Sequence, residues 1–186
     1  MTADLDTGPP LAGRPERRTA PSGQQNEVMQ LTDDMQRVVR EQSLGFVATV
    51  RPDGTPALSP KGTTSVWDAG HLVFLHVHSP HTVDNLRHNP HVEINVVDPI
   101  VRKGYRFAGL GRVVDHGAEY EQILDWFTAQ RGGDYRARAK AAVLVAVTSA
   151  EALISPAYDD GSTEAEVSAR WRQRHLDLDL GATEAQ

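Results

Sequence analysis

The chain has no cysteine. That absence removes disulfides, thiolate nucleophiles and thiolate metal sites together, and it fits a reducing interior. No apolar run approaches the length needed to span a bilayer, and the N-terminal stretch "MTADLDTGPPLAGRPERRTAPSG" lacks the apolar core of a secretory signal. A soluble, cytoplasmic protein without membrane attachment is therefore expected. Basic residues are outnumbered, 19 Lys and Arg against 25 Asp and Glu, and they are scattered. An extended nucleic-acid surface needs a local basic excess, so nucleic acid is not an expected partner. The Gly-x-Ser-x-Gly elbow, the Walker loop and the dinucleotide glycine pattern are all missing.

What is there reads as one domain between two tails. Residues 1–25 combine Pro, Gly, Thr and Arg with few large apolar side chains, which predicts a flexible arm. Residues 26–175 form the expected folded domain, and residues 176–186 a flexible acidic tail. Val28, Leu31, Met35 and Val38 recur at helical spacing within 26–42. "LGFVATV", the turn "RPDG" and residues 56–66 predict two paired strands, with Ser59, Lys61, Thr63 and Ser65 sharing one face of the second. "HLVFLHV" predicts a third strand, and a short helix over 79–88 is stopped by Pro90. "HVEINVV" and "YRFAGLGRVV" predict two more strands, Gly109 and Gly111 marking a close approach of backbone or ligand. A helical stripe follows over 118–131. The run "KAAVLVAVTSAEALIS" fits helix or buried strand by length, and its β-branched density favours strand. A last helix covers 164–175. The order predicts a mainly β fold with flanking helices, a six-stranded antiparallel barrel.

The chemistry concentrates in "SPKGTTSVWDAGHLVFLHVHSPHTVDNL", residues 59–86. Ser79 and Pro80 suit the start of a helix whose first amides point outward, a natural anion site. Lys61 lies one hairpin away among Ser59, Thr63 and Thr64, so strand cation and helix amides can converge on one phosphate. The plain alternative is a capped helix and a solvated edge lysine. His76, His78, His81, His88 and His91 invite a metal reading, but no third ligand with a supporting carboxylate stands at characteristic spacing. No metal site is expected. Trp67, Trp126 and Trp171 read as core or interface packing.

The succession "LGFVATVRPDGTPALSPKG", "LVFLHV", "HTVDNLRHNPHVEINVVD" and "RFAGLGRVV" resembles the flavin-binding split-barrel family of pyridoxamine 5′-phosphate oxidase. Its most specific element is Asn-Leu-x-x-Asn-Pro-x-Val at 85–92, and Ser-Pro-Lys-Gly at 59–62 is similar to flavin-nucleotide-binding relatives. The resemblance implies a six-stranded split barrel that binds FMN. It assigns Ser59, Lys61, Gly62, Thr63 and Thr64, with His76 and Val77, to the strands beside the flavin. It sets His81 and Thr82 where many relatives carry an Arg-Lys pair on the phosphate, and Asn85 in the helix that follows. It further implies a homodimer with flavin at the interface, where Lys103 to Arg106 reach across. The surroundings of Trp171 and Arg174 do not match those that the namesake oxidase uses for its substrate. The expected activity is FMN-dependent hydride or electron transfer with a small, unidentified substrate, and no side chain is needed as a catalytic acid or base. The alternatives are a non-catalytic flavin-binding module, or a split barrel that uses deazaflavin or haem.

Overall fold

In the computed structural model the backbone is described for residues 27–183 and the side chains for residues 27–178. The arm expected over 1–25 lies outside the described residues. Helix α1 (Asp33–Gln42) begins where Thr32 accepts a hydrogen bond from the Met35 amide at 3.3 Å and Asp33 and Asp34 occupy the first turn. It starts later than the expected 26. Residues 27–31 are instead outside any helix, fastened by the Met29 N–H to Val147 O (2.8 Å) and the Leu31 N–H to Ala69 O (2.7 Å).

Seven strands form a single sheet in the order β2-β1-β5-β6-β7-β4-β3, every pair antiparallel. They are β1 (Gly45–Val50), β2 (Pro56–Lys61), β3 (Ser65–Val66), β4 (His71–His76), β5 (His91–Asp98), β6 (Lys103–Val114) and β7 (Ala141–Ile154). The sheet is curled as a split barrel requires, with one strand more than expected. The single strand expected over 56–66 is broken at Gly62, and its halves lie on opposite edges of the sheet. Four Cα steps from Lys61 to Ser65 reach at most roughly 14 Å, so the two edges must come together there. This crossing closes the barrel.

Helix α2 (Pro80–His88) sits between β4 and β5, α3 (Gly117–Arg131) between β6 and β7, and α4 (Glu164–Thr183) follows a short 3₁₀ turn at Pro156–Tyr158. The last helix continues past the expected His175, so the backbone of 176–183 is helical. Inside the barrel Val47, Phe74, Ile94, Phe107, Val143 and Val145 pack with Val38 and Val39 of α1 and Leu86 of α2. On the outside, α3 lays Ile123, Leu124 and Phe127 against Val73, Leu75 and Leu144. Strand β7 is thus covered on both faces over Ala141–Val145. This explains why its sequence shows a continuous apolar run where a half-buried strand would alternate. Gly109 answers to backbone approach: a Cβ there would stand 2.2 Å from Ala146 O, beside a bulge at Ala108/Gly109.

Candidate functional site at the barrel seam

Lys61 ends β2 and is 5% exposed. Its Nζ donates to Ser59 Oγ at 2.5 Å and lies 6.0 Å from the centre of the Phe74 ring on β4, across the seam. No carboxylate among the described residues bonds it. Burial lowers its ammonium from the ordinary 10.5 to about 8. A buried cation without a counter-charge is costly, and an incoming anion relieves it.

The crossing itself is fastened at several points. Thr64, fully buried, donates its hydroxyl to Lys61 O at 2.9 Å, and Thr63 Oγ1 accepts from the Leu75 amide of β4 at 2.8 Å. Ser65 Oγ donates to Thr63 O at 3.1 Å. Thr63 thus ties the crossing to β4, and Thr64 closes the turn onto the end of β2. Gly62 faces open space, with nothing within 4 Å of a Cβ built on it. Neither the Gly62 nor the Thr63 amide finds a backbone acceptor among the described residues. The seam so brings together an ammonium, a serine hydroxyl and two amides that have no backbone acceptor among the described residues.

His76, at the end of β4, is 7% exposed. Its Nδ1 accepts the Ser79 amide at 3.0 Å and has the Ser79 hydroxyl at 3.3 Å, so the neutral ring carries its proton on Nε2. Burial first, then Lys140 and Lys61, lower the imidazole from its usual range. A neutral ring is the outcome at pH 7. Ser79 stands at the N-cap of α2 as its sequence predicts, but its hydroxyl bonds no α2 amide and turns to His76 instead. Thr82 is buried with its amide on Ser79 O at 3.1 Å, while His81 is exposed and Val77 half-buried. Asn85 is buried and donates to Thr49 Oγ1 of β1 at 2.9 Å, tying helix to strand. The structure thus gathers Ser59, Lys61, Gly62, Thr63 and His76 about the seam, with Ser79 reaching it through His76. Among the described residues no group of three His, Asp or Glu side chains could hold a metal.

A family model described as pyridoxamine 5′-phosphate oxidase matches residues 31–154, two thirds of the chain. The chain belongs to the pyridoxamine 5′-phosphate oxidase family. HupZ of Group A Streptococcus is 30% identical, with a TM-score of 0.59 over 67% of this chain and 95% of that one. An F420 reductase is 25% identical, with a TM-score of 0.51 over 65% of this chain and 98% of that one. HutZ of Vibrio cholerae, a haem storage protein, is 17% identical with a TM-score of 0.54 over 68% and 95%, a likeness of fold alone. No curated protein matches the chain.

Within this family fold, one residue of the seam went unread in the sequence. Arg131, the last residue of α3, donates from one terminal nitrogen to Gly62 O (2.8 Å) and from the other to Thr64 O (3.0 Å) and Ser65 Oγ (2.7 Å). A lone Arg before a Gly-Gly pair carries no spacing signal, since its partners lie 66 to 69 positions away. Trp171 and Arg174 stack on one another at 5.3 Å and with Arg102, 4.2 Å from the indole. Trp67 and Trp126 make an edge-to-face pair at 5.6 Å outside the barrel.

Proposed function

We propose that this chain is an FMN-dependent oxidoreductase that holds the flavin's phosphate at the seam. The observation that carries this reading is Lys61, an almost fully buried ammonium with a serine as its only bonded partner among the described residues. A phosphate there gains a charge-assisted bond from Nζ and the free Gly62 and Thr63 amides. The open space at Gly62 lets a planar ring approach the backbone. Neutral His76 supplies an Nε2 donor beside it. When bound, FMN supplies the hydride and electron chemistry. The chain's part is to orient the cofactor and exclude water from one of its faces.

The convex face of the sheet supports a homodimer as the active form. Leu58 (68% exposed) and Phe46 (45%) lie beside Pro60, Ala48 and Val97 on the outer side of β2, β1 and β5. Their neighbour Lys61 places the seam at the edge of that patch, so a second copy seated there would border the flavin. Members of the family are commonly dimeric.

Titration of the purified chain with FMN and with riboflavin, followed by fluorescence quenching, tests the assignment. FMN is expected to bind more tightly than riboflavin, and reduced nicotinamide nucleotides to bleach the bound flavin. Equal affinity for the two would refute the phosphate site. Binding without reduction by any donor would leave a flavin-binding module. A second reading, a deazaflavin as cofactor, draws on the F420 reductase at 25% identity. Titration with F420 in parallel separates the two.

A further inference from the structure

We infer that Arg131 is the positioning residue of this site: its guanidinium sets the direction in which the crossing presents the Thr63 amide to the ligand. The inference rests on the reading that the seam takes a flavin phosphate. A peptide unit is planar, so a carbonyl and the amide that follows it point to opposite sides. Arg131 draws the carbonyls of Gly62 and Thr64 to its own side at 2.8 and 3.0 Å, and the intervening geometry turns the Thr63 N–H away from α3. The Ser65 hydroxyl at 2.7 Å gives the same nitrogen a second acceptor, so the fork grips the crossing at three oxygens. Arg131 is itself located by α3: its guanidinium lies 5.8 Å from the centre of the Phe127 ring, one turn earlier, and Phe127 is fully buried. No carboxylate among the described residues pairs with it. The charge is spent on backbone carbonyls, as expected of a group whose work is to hold a loop. Thr63 and Thr64 pin the same loop from the barrel side. The Thr64 hydroxyl on Lys61 O orients the 61–62 peptide, whereas Arg131 orients the 62–63 and 64–65 peptides.

The experiment compares wild type, Arg131→Ala and Arg131→Lys by two readouts. The first is the FMN-to-riboflavin affinity ratio. The second is amide hydrogen exchange of the ligand-free chain over residues 62–66. Arg131→Ala is expected to reduce the affinity ratio by about tenfold or more, as the loss of charge-assisted bonds implies. It is also expected to accelerate exchange over 62–66 while exchange in β5 and β6 stays unchanged. Lysine keeps the charge but lacks the two-nitrogen fork that grips Gly62 O and Thr64 O separately, so Arg131→Lys should behave as the alanine variant does. Full rescue by lysine, or unchanged exchange over 62–66 in Arg131→Ala, would overturn the inference. If wild type itself fails to prefer FMN, the functional reading fails, and the exchange readout alone then decides for or against the clamp.

Discussion

Burial lowers the Lys61 ammonium to about 8 against 10.5 in the unfolded chain. Between those values the unfolded chain holds a proton that the folded chain has released, so the Lys61 contribution to unfolding free energy rises with pH across that window. Below about 8 the folded chain carries an uncompensated charge. Lys61→Met is therefore expected to raise the melting temperature of the ligand-free protein at pH 7, with a gain that shrinks as pH climbs past 8. Thermal melts of both proteins across pH 7 to 10 check this. The same substitution should abolish discrimination between FMN and riboflavin. For wild type the sign is opposite in binding: the phosphate needs the ammonium, so FMN affinity should fall as pH rises above about 8, and Lys61→Met should show no such fall. Lys61 was legible because a lone cation among small hydroxyl residues on a strand face is conspicuous. Arg131 was not, because its relation to the site exists only in three dimensions.

Strands β6 and β7 pair along almost their whole length, and at Gly109 a Cβ would stand 2.2 Å from Ala146 O of the partner strand. A methyl at Gly109 would meet a carbonyl oxygen of the partner strand that no rotamer can move. Gly109→Ala is expected to cost about 1–3 kcal/mol, measured as a lower urea midpoint at unchanged slope. Removing the Phe127 ring, which anchors α3 and supports Arg131, should cost about 3–5 kcal/mol by the same measurement. Most elements were legible at this scale, including β7, whose β-branched residues outweighed its helix-length run. The strand over 56–66 was misread for a definite reason. Its period-two alternation persists through Gly62, Thr63 and Thr64, and alternation does not register that the chain leaves one sheet edge and joins the other. Helix α1 starts later than the spacing of Val28 and Leu31 implies because the Met29 and Leu31 amides are bonded to Val147 O and Ala69 O and not within a helix.

For the whole molecule, the exposed Phe46 and Leu58 lie close together on one face of the sheet, beside the exposed Val97. Phe46→Glu with Leu58→Glu is expected to shift the protein to monomer in sedimentation at micromolar concentration and to weaken FMN binding in parallel. A monomeric wild type, or a variant that stays dimeric, would refute that face as the interface. Among the described residues no helix is long and apolar enough to cross a membrane.

By itself the sequence determined the mainly β antiparallel architecture and the family, and it singled out the lysine on which the proposed site rests. Each of these follows from local signals, namely alternation, turn chemistry and a motif within some thirty residues. Only the tertiary structure decided that residues 62–64 are the seam where the sheet closes, that Ser79 serves His76 and not the helix start, and that Arg131 grips the crossing. Those facts depend on which distant segments meet once the sheet curls, and closure over such separations is set by the packing of the entire barrel, not by any window along the chain.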